Sequence, residues 1–149
     1  MTFHIRPLAL EQDLNNIHQL TAQLGYPSTL ENIQQRWQQI HQNPHYHTLV
    51  IDHDATVIGY AGFIEQYSWE FDGGFLRIQA FVIHEDYRGQ GLGKKLMDAV
   101  EQQARQHGFK RIMLNSGNRI ERYPAHAFYQ RLGFDAYSLG FSKLLNCSA

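Results

Sequence analysis

The residues with the clearest capacity for chemistry lie between Val82 and Lys94. The run Val82-Ile83-His84-Glu85-Asp86-Tyr87-Arg88-Gly89-Gln90-Gly91-Leu92-Gly93-Lys94 holds three glycines at alternate positions. A strand-like apolar segment precedes them, and an amphipathic helical pattern starts inside them. Glycine lets a backbone approach a ligand closely. The first N–H groups of a helix lack internal partners and carry the positive end of its dipole. A phosphate or pyrophosphate suits that environment, and Arg88, Lys94 and Lys95 add positive charge beside it. Two common phosphate loops are excluded. The dinucleotide pattern G-x-G-x-x-G needs glycine where Lys94 stands. The P-loop pattern needs Ser or Thr where Lys95 stands. Arg88-x-x-Gly91-x-Gly93 remains, with a glycine turn that merely caps a helix as the alternative.

A second group of side chains, His41, His45 and His47, has the spacing H-x3-H-x-H. That spacing permits a metal site. No Cys or acidic residue reinforces it and the segment reads as a loop, so no metal is expected.

The elements that must position these residues can be read from periodicity. Residues 3–6 alternate as a short strand. Leu10, Leu14, Ile17, Leu20 and Leu24 recur at helical spacing and stop at Gly25 and Pro27. Ser28 and Glu31 predict a capping box for a second helix with the stripe Leu30, Ile33, Trp37 and Ile40. Strands are predicted over 48–51, 57–67 and 75–83, joined by short turns suited to antiparallel hairpins. Leu92, Leu96, Met97, Val100 and Ala104 mark a third helix, and residues 111–114 another strand. Pro124 opens a fourth helix carrying Ala125, Phe128, Tyr129 and Leu132, and Gly133 ends it. Residues 134–145 read as a final pair of strands. The expectation is an α/β (α+β) fold with a mixed, mostly antiparallel sheet of six to seven strands. About four helices flank it, and 75–114 forms a crossover between parallel strands.

Composition narrows the class. The 149 residues are 43% apolar and 18% charged, with 13 Lys plus Arg against 14 Asp plus Glu. One domain over residues 1–146 and a short tail, 147–149, are expected. Near-neutral charge argues against a nucleic-acid partner. No apolar run reaches the roughly 18 residues of a membrane span, and no secretory signal opens the chain. The single cysteine, Cys147, makes no internal disulfide. A cytoplasmic protein is expected.

Arg88-Gly89-Gln90-Gly91-Leu92-Gly93 resembles the acetyl-CoA pyrophosphate loop of the Gcn5-related N-acetyltransferase (GNAT) family. Some thirty residues later, Ala125-His126-Ala127-Phe128-Tyr129-Gln130-Arg131-Leu132-Gly133-Phe134 is similar to that family's A-x-x-F-Y-x-x-x-G-F segment. The order of elements matches the family fold over nearly the whole chain.

The resemblance implies direct transfer of an acetyl group from acetyl-CoA, as cosubstrate, to an amine. Backbone N–H groups from Arg88 through Gly89, Gln90, Gly91, Leu92 and Gly93 to Lys94 would hold the pyrophosphate. Phe81, Val82 and Ile83 would border the pantetheine arm, and an N–H near Val82 would polarise the thioester carbonyl. Asn115 would hydrogen-bond the pantetheine, and Ala125 and Phe128 would line the coenzyme channel. Tyr129 takes the place of the general acid that protonates the leaving thiolate, a task for a phenol of pKa about 10. It also falls on the apolar face of its helix, as a core aromatic would. Relatives place a Glu base where this chain has Gln79, and an amide takes up no proton. Glu65, Glu70 and Asp72 are the carboxylates left, with Glu65 favoured because it lies within a strand.

Helices one and two and the stretch 67–71 would wall the acceptor site. The segment 115–119 with Arg122 and His126 is similar to a subgroup that includes aminoalkylphosphonate N-acetyltransferases. Arg119 and Arg122 would hold either an anionic substrate group or a coenzyme phosphate. The leading expectation is a small-molecule N-acetyltransferase that forms a homodimer by analogy of fold. The alternatives are a protein Lys or N-terminal acetyltransferase and a non-catalytic acyl-CoA sensor.

Overall fold

A computed structural model describes residues 2–117 and 119–145 of the chain. They group into two compact units, one running up to Leu114 and one from Asn115 onward.

The first unit is a five-stranded sheet in the order β1-β2-β3-β4-β5. Its strands are β1 (Phe3–Pro7), β2 (Tyr46–His53), β3 (Thr56–Tyr67), β4 (Gly74–Ile83) and β5 (Ile112–Leu114). The first four pair antiparallel, and β5 joins β4 in parallel. The helix α3 (Leu92–Gln106) makes the β4-to-β5 connection, as the expected crossover requires. Asp54 and Ala55, both at positive φ, turn β2 into β3. Two positive-φ residues match the natural twist of a hairpin.

Helices α1 (Leu10–Leu24) and α2 (Leu30–His41) cover one sheet face. Ile17 and Leu20 of α1, Ile33 of α2, and Val50, Tyr60 and Val82 of the sheet form one buried cluster there. Gly25, in the left-handed region, stops α1 as predicted. The cap of α2 is a correction. Thr29, not Ser28, accepts the Asn32 N–H at 3.0 Å, and the Ser28 carbonyl instead accepts from His18 at 2.6 Å. Both hydroxyls suit the role. Thr29 takes it because it is the extended residue immediately before the first helical turn.

Two bulges set which residues face which way. The β3–β4 register runs Gly62 to Ala80 and then Phe63 to Ile78, leaving Gln79 as an extra residue. The β2–β3 register likewise leaves Ile58 extra. A bulge reverses side-chain alternation beyond it.

The second unit contains a 3-10 turn (Ile120–Arg122) and α4 (Tyr123–Arg131), with Pro124 in its first turn. Residues 134–145 form no strand, so the sheet has five strands and not the expected six or seven. Tyr137, Leu139 and Phe141 do alternate, but Phe141 is 92% exposed. Strand preference is a preference for a half-buried pleated surface. Asp135, Gly140 and Lys143, poor strand formers, interrupt the run. Cys147 lies outside the described residues.

Candidate active site

The glycine loop takes the form its sequence demands. Gly89 and Gly91 sit at φ of 79° and 78°, a region that costs other residues about 1–2 kcal/mol. An added Cβ at either meets nothing within 4 Å, so conformation and not space selects glycine here. Gly91 is the N-cap of α3 and offers no side chain to the helix's first amides. No acidic residue occupies the first turn. The turn therefore presents bare N–H groups at a positive helix end, and it fits a pyrophosphate. Arg88 does something the spacing did not reveal. Its Nε donates to the Ile83 carbonyl at 2.9 Å, tying the loop to the end of β4. Lys94 pairs with Asp98 one turn on, at 3.0 Å.

The ladder between β4 and β5 stops at Ile78 and Leu114. The Gln79 bulge thus falls where β5 leaves β4. Beyond it, the His84 N–H donates to the Ile58 carbonyl at 2.7 Å. The same register directs the Val82 N–H toward Tyr60 on β3. The Val82 amide consequently serves the sheet. In alternation, the amides of Phe81 and Ile83 belong to the opposite edge of β4.

A cavity of about 250 Å³ opens between α1, α2 and the sheet. Gly62 and Ala80 lie opposite each other in its floor, and Gln79 joins them. Plain alternation from Ala80 would send Gln79 to the α3 face; the bulge keeps it on the cavity side. Ile17, Ile33, Trp37 and Ile40 supply apolar walls. Arg36 is the one charged residue among the lining, and no carboxylate or imidazole lines the cavity among the described residues.

Tyr60 and Thr21 are buried residues of this cavity that carry hydroxyls. The Tyr60 hydroxyl lies 2.7 Å from Thr21 Oγ1, and that same Thr21 hydroxyl donates to the Ile17 carbonyl at 2.7 Å. Thr21 has one proton to give, so the Tyr60 O–H donates to Thr21. The Tyr60 oxygen keeps acceptor capacity. Burial pushes its pKa up, opposed by the Thr21 bond and the Arg36 charge.

Glu65 sits elsewhere. Alternation along β3 groups it with Phe63, on the face opposite Gly62. His47 and His107 approach its Oε1 at 3.2 Å each, and His45 approaches Oε2 at 3.3 Å. Burial raises its pKa, but the His45 hydrogen bond and the charges of His47 and His107 outweigh burial and hold it low. A carboxylate so held takes up a proton poorly. Glu70 and Asp72 also lie outside the cavity lining, as do Tyr67 and the fully exposed Trp69. His41 stacks on Trp37, apart from the other two histidines of its motif.

In the second unit, Tyr129 is buried on α4 against Phe134 and Phe128. Burial raises its pKa, opposed by the charge and hydrogen bond of Arg122. Arg122 also donates to Ser116 Oγ at 3.4 Å, and His126 Nε2 lies 2.9 Å from the Gly117 carbonyl. These contacts tie α4 to the segment that starts at Asn115. Sequence reasoning missed Arg36 and Tyr60. Arg36 flanks the apolar stripe of α2, and Tyr60 reads as one more apolar strand residue.

With this geometry in view, the relatives can be placed. The model of the acetyltransferase (GNAT) family matches residues 11–134, and the chain belongs to that family. The N-acetyltransferase YjgM of Escherichia coli, itself uncharacterised, is 31% identical over 130 residues, covering 86% of this chain and 75% of its own. The aminoalkylphosphonate N-acetyltransferase of Salmonella typhimurium is 29% identical over 103 residues, covering 69% and 66%. Among solved structures, a GNAT family acetyltransferase of Staphylococcus aureus superposes with a TM-score of 0.82 at 29% identity, covering 97% of this chain and 100% of that one. The chain is an acetyl-CoA-dependent acyltransferase.

Proposed function

We propose that the chain transfers the acetyl group of acetyl-CoA to the amine of a small molecule by direct attack. One observation carries this reading. The acceptor cavity meets β4 at Gln79, where β5 parts from β4. An amine held in the cavity and an acyl group held along the freed edge of β4 come together there.

Acetyl-CoA supplies the activated acetyl group. The amides from Arg88 to Lys94 hold its pyrophosphate at the N-terminus of α3. Phe81 and Ile83 present backbone to the pantetheine arm, and their N–H groups polarise the carbonyl under attack. Asn115, Ala125 and Phe128 complete the coenzyme side. Tyr129 gives its proton to the departing sulfur and Arg122 stabilises the phenolate that results; the proton that the attacking nitrogen sheds as the C–N bond becomes an amide passes through water and restores the phenol. On the acceptor side, the amide oxygen of Gln79 and the phenolic oxygen of Tyr60 accept the N–H groups of the amine and aim its lone pair. No residue of the lining takes up its proton, so the amine loses it to water before or during binding.

Initial rates test both halves of this reading. Varying both substrates should give intersecting double-reciprocal lines, and parallel lines would mean an acetylated enzyme instead. The pH profile of kcat/KM should climb tenfold per unit toward the pKa of the free amine. A plateau set by an enzyme group near pH 6–7 would contradict the absence of a base.

A further inference from the structure

The acceptor cavity has an asymmetric chemistry. Its walls are apolar, and Trp37 gives it a flat aromatic surface. Its one charge is the guanidinium of Arg36, which forms no ion pair among the described residues. A site built for polyamines or aminosugars needs carboxylates to meet several positive charges, and this lining has none. A lone cation beside apolar walls fits the reverse ligand, one with an acidic group and a hydrocarbon body. Arginine presents a planar fork of donors that matches a carboxylate or phosphonate.

The position of Arg36 refines the class. Arg36 lines the same cavity of about 250 Å³ as Tyr60, whose oxygen meets the amine in the reading above. A ligand that reaches both carries its amine and its acidic group on one small skeleton. From the geometry we infer that the acceptor is a small amine bearing an acidic group and an apolar side chain. An apolar α-amino acid is the simplest case, and Arg36 is the residue that selects for the acid. This rests on the acetyl-transfer reading above.

The test is a panel of acceptors assayed by release of free CoA thiol. It contains leucine and phenylalanine, their decarboxylated amines, leucinamide, the aminophosphonate analogue of leucine, and spermidine. With kcat/KM expressed throughout per unprotonated amine, so that differences in amine basicity drop out, a charged hydrogen bond of the usual strength predicts values about 10- to 100-fold higher for the acids than for the decarboxylated amines. Leucinamide should behave as the decarboxylated amines do. A carboxylate ligand and a phosphonate ligand are separated by comparing leucine with its phosphonate. Arg36→Gln should bring the ratio between leucine and its decarboxylated amine toward one, chiefly through KM, and Arg36→Lys should restore part of it. A preference for spermidine, for leucinamide or for the decarboxylated amines overturns the inference, as does an Arg36→Gln enzyme with its preference intact. An entirely inert panel overturns it too. The melting temperature with and without acetyl-CoA is read on the same proteins. A coenzyme shift with no acid preference sinks the acceptor class alone. No shift in either protein sinks acetyl transfer itself.

Discussion

At the scale of single residues, the proposed chemistry divides between two buried phenols. Tyr60 spends its proton on Thr21 and faces the cavity as an acceptor. Tyr129 keeps its proton because burial raises its pKa, and Arg122 offsets the charge left when that proton goes. A general acid contributes about 10²- to 10⁴-fold. Tyr129→Phe should therefore lower kcat by about 100-fold or more while acetyl-CoA affinity, measured by calorimetry, changes little. Unaltered turnover would remove Tyr129 from the reaction. Gln79 shows what spacing can and cannot tell. Its identity, an amide where the family resemblance leads one to expect a carboxylate, is visible in the chain. Its orientation comes from a one-residue bulge that no local pattern announces. Arg36 was invisible for a related reason, since nothing along the chain brings position 36 to positions 60 and 79.

At the scale of elements, a largely buried ionic bridge ties β1 and β2 to α1. Arg6 of β1 bonds Asp13 of α1 at 2.8 and 3.0 Å and Asp52 of β2 at 2.8 Å. Asp13, only 1% exposed, also accepts the Ala9 N–H that opens α1. Removing one partner of such a bridge strands charge in the interior and costs about 3–5 kcal/mol. Arg6→Ala should lower the unfolding free energy in urea by about that amount, and a loss below about 1 kcal/mol would show the bridge to be incidental. Helices and hairpins of the first 114 residues were legible because their periods, 3.6 and 2, persist over several turns or pleats. Thr29 replaced Ser28 as a cap because two hydroxyls stand side by side and the helix starts at Leu30, one residue later than the pattern implied. The last two strands were misread because alternation in 134–145 mimics a strand, while strand formation needs a partner edge as well.

At the scale of the whole molecule, titration of buried groups bounds the stable range. Asp13 and Glu65 have lowered pKa values in the fold. Their contribution is present above the ordinary carboxylate range, about pH 4, and is lost as pH falls through the folded values. Tyr60 and Tyr129 have raised values. Their contribution is full below about pH 10 and is lost as pH rises through the folded values. The melting temperature should show a plateau with an acid edge below about pH 4 and an alkaline edge above about pH 10. Glu65→Gln and Tyr60→Phe should soften the acid and alkaline edges respectively, and edges unmoved by either change would refute the assignment. The proposed function depends above all on one event, the capture of acetyl-CoA by the amides at the start of α3. Calorimetric titration of the enzyme and of Gly91→Val with acetyl-CoA examines that event directly. The enzyme should bind one equivalent saturably and the variant should bind far more weakly, because valine resists the φ of 78° that the turn requires. No heat of binding at millimolar coenzyme, or equal affinity in a correctly folded variant, would contradict the account.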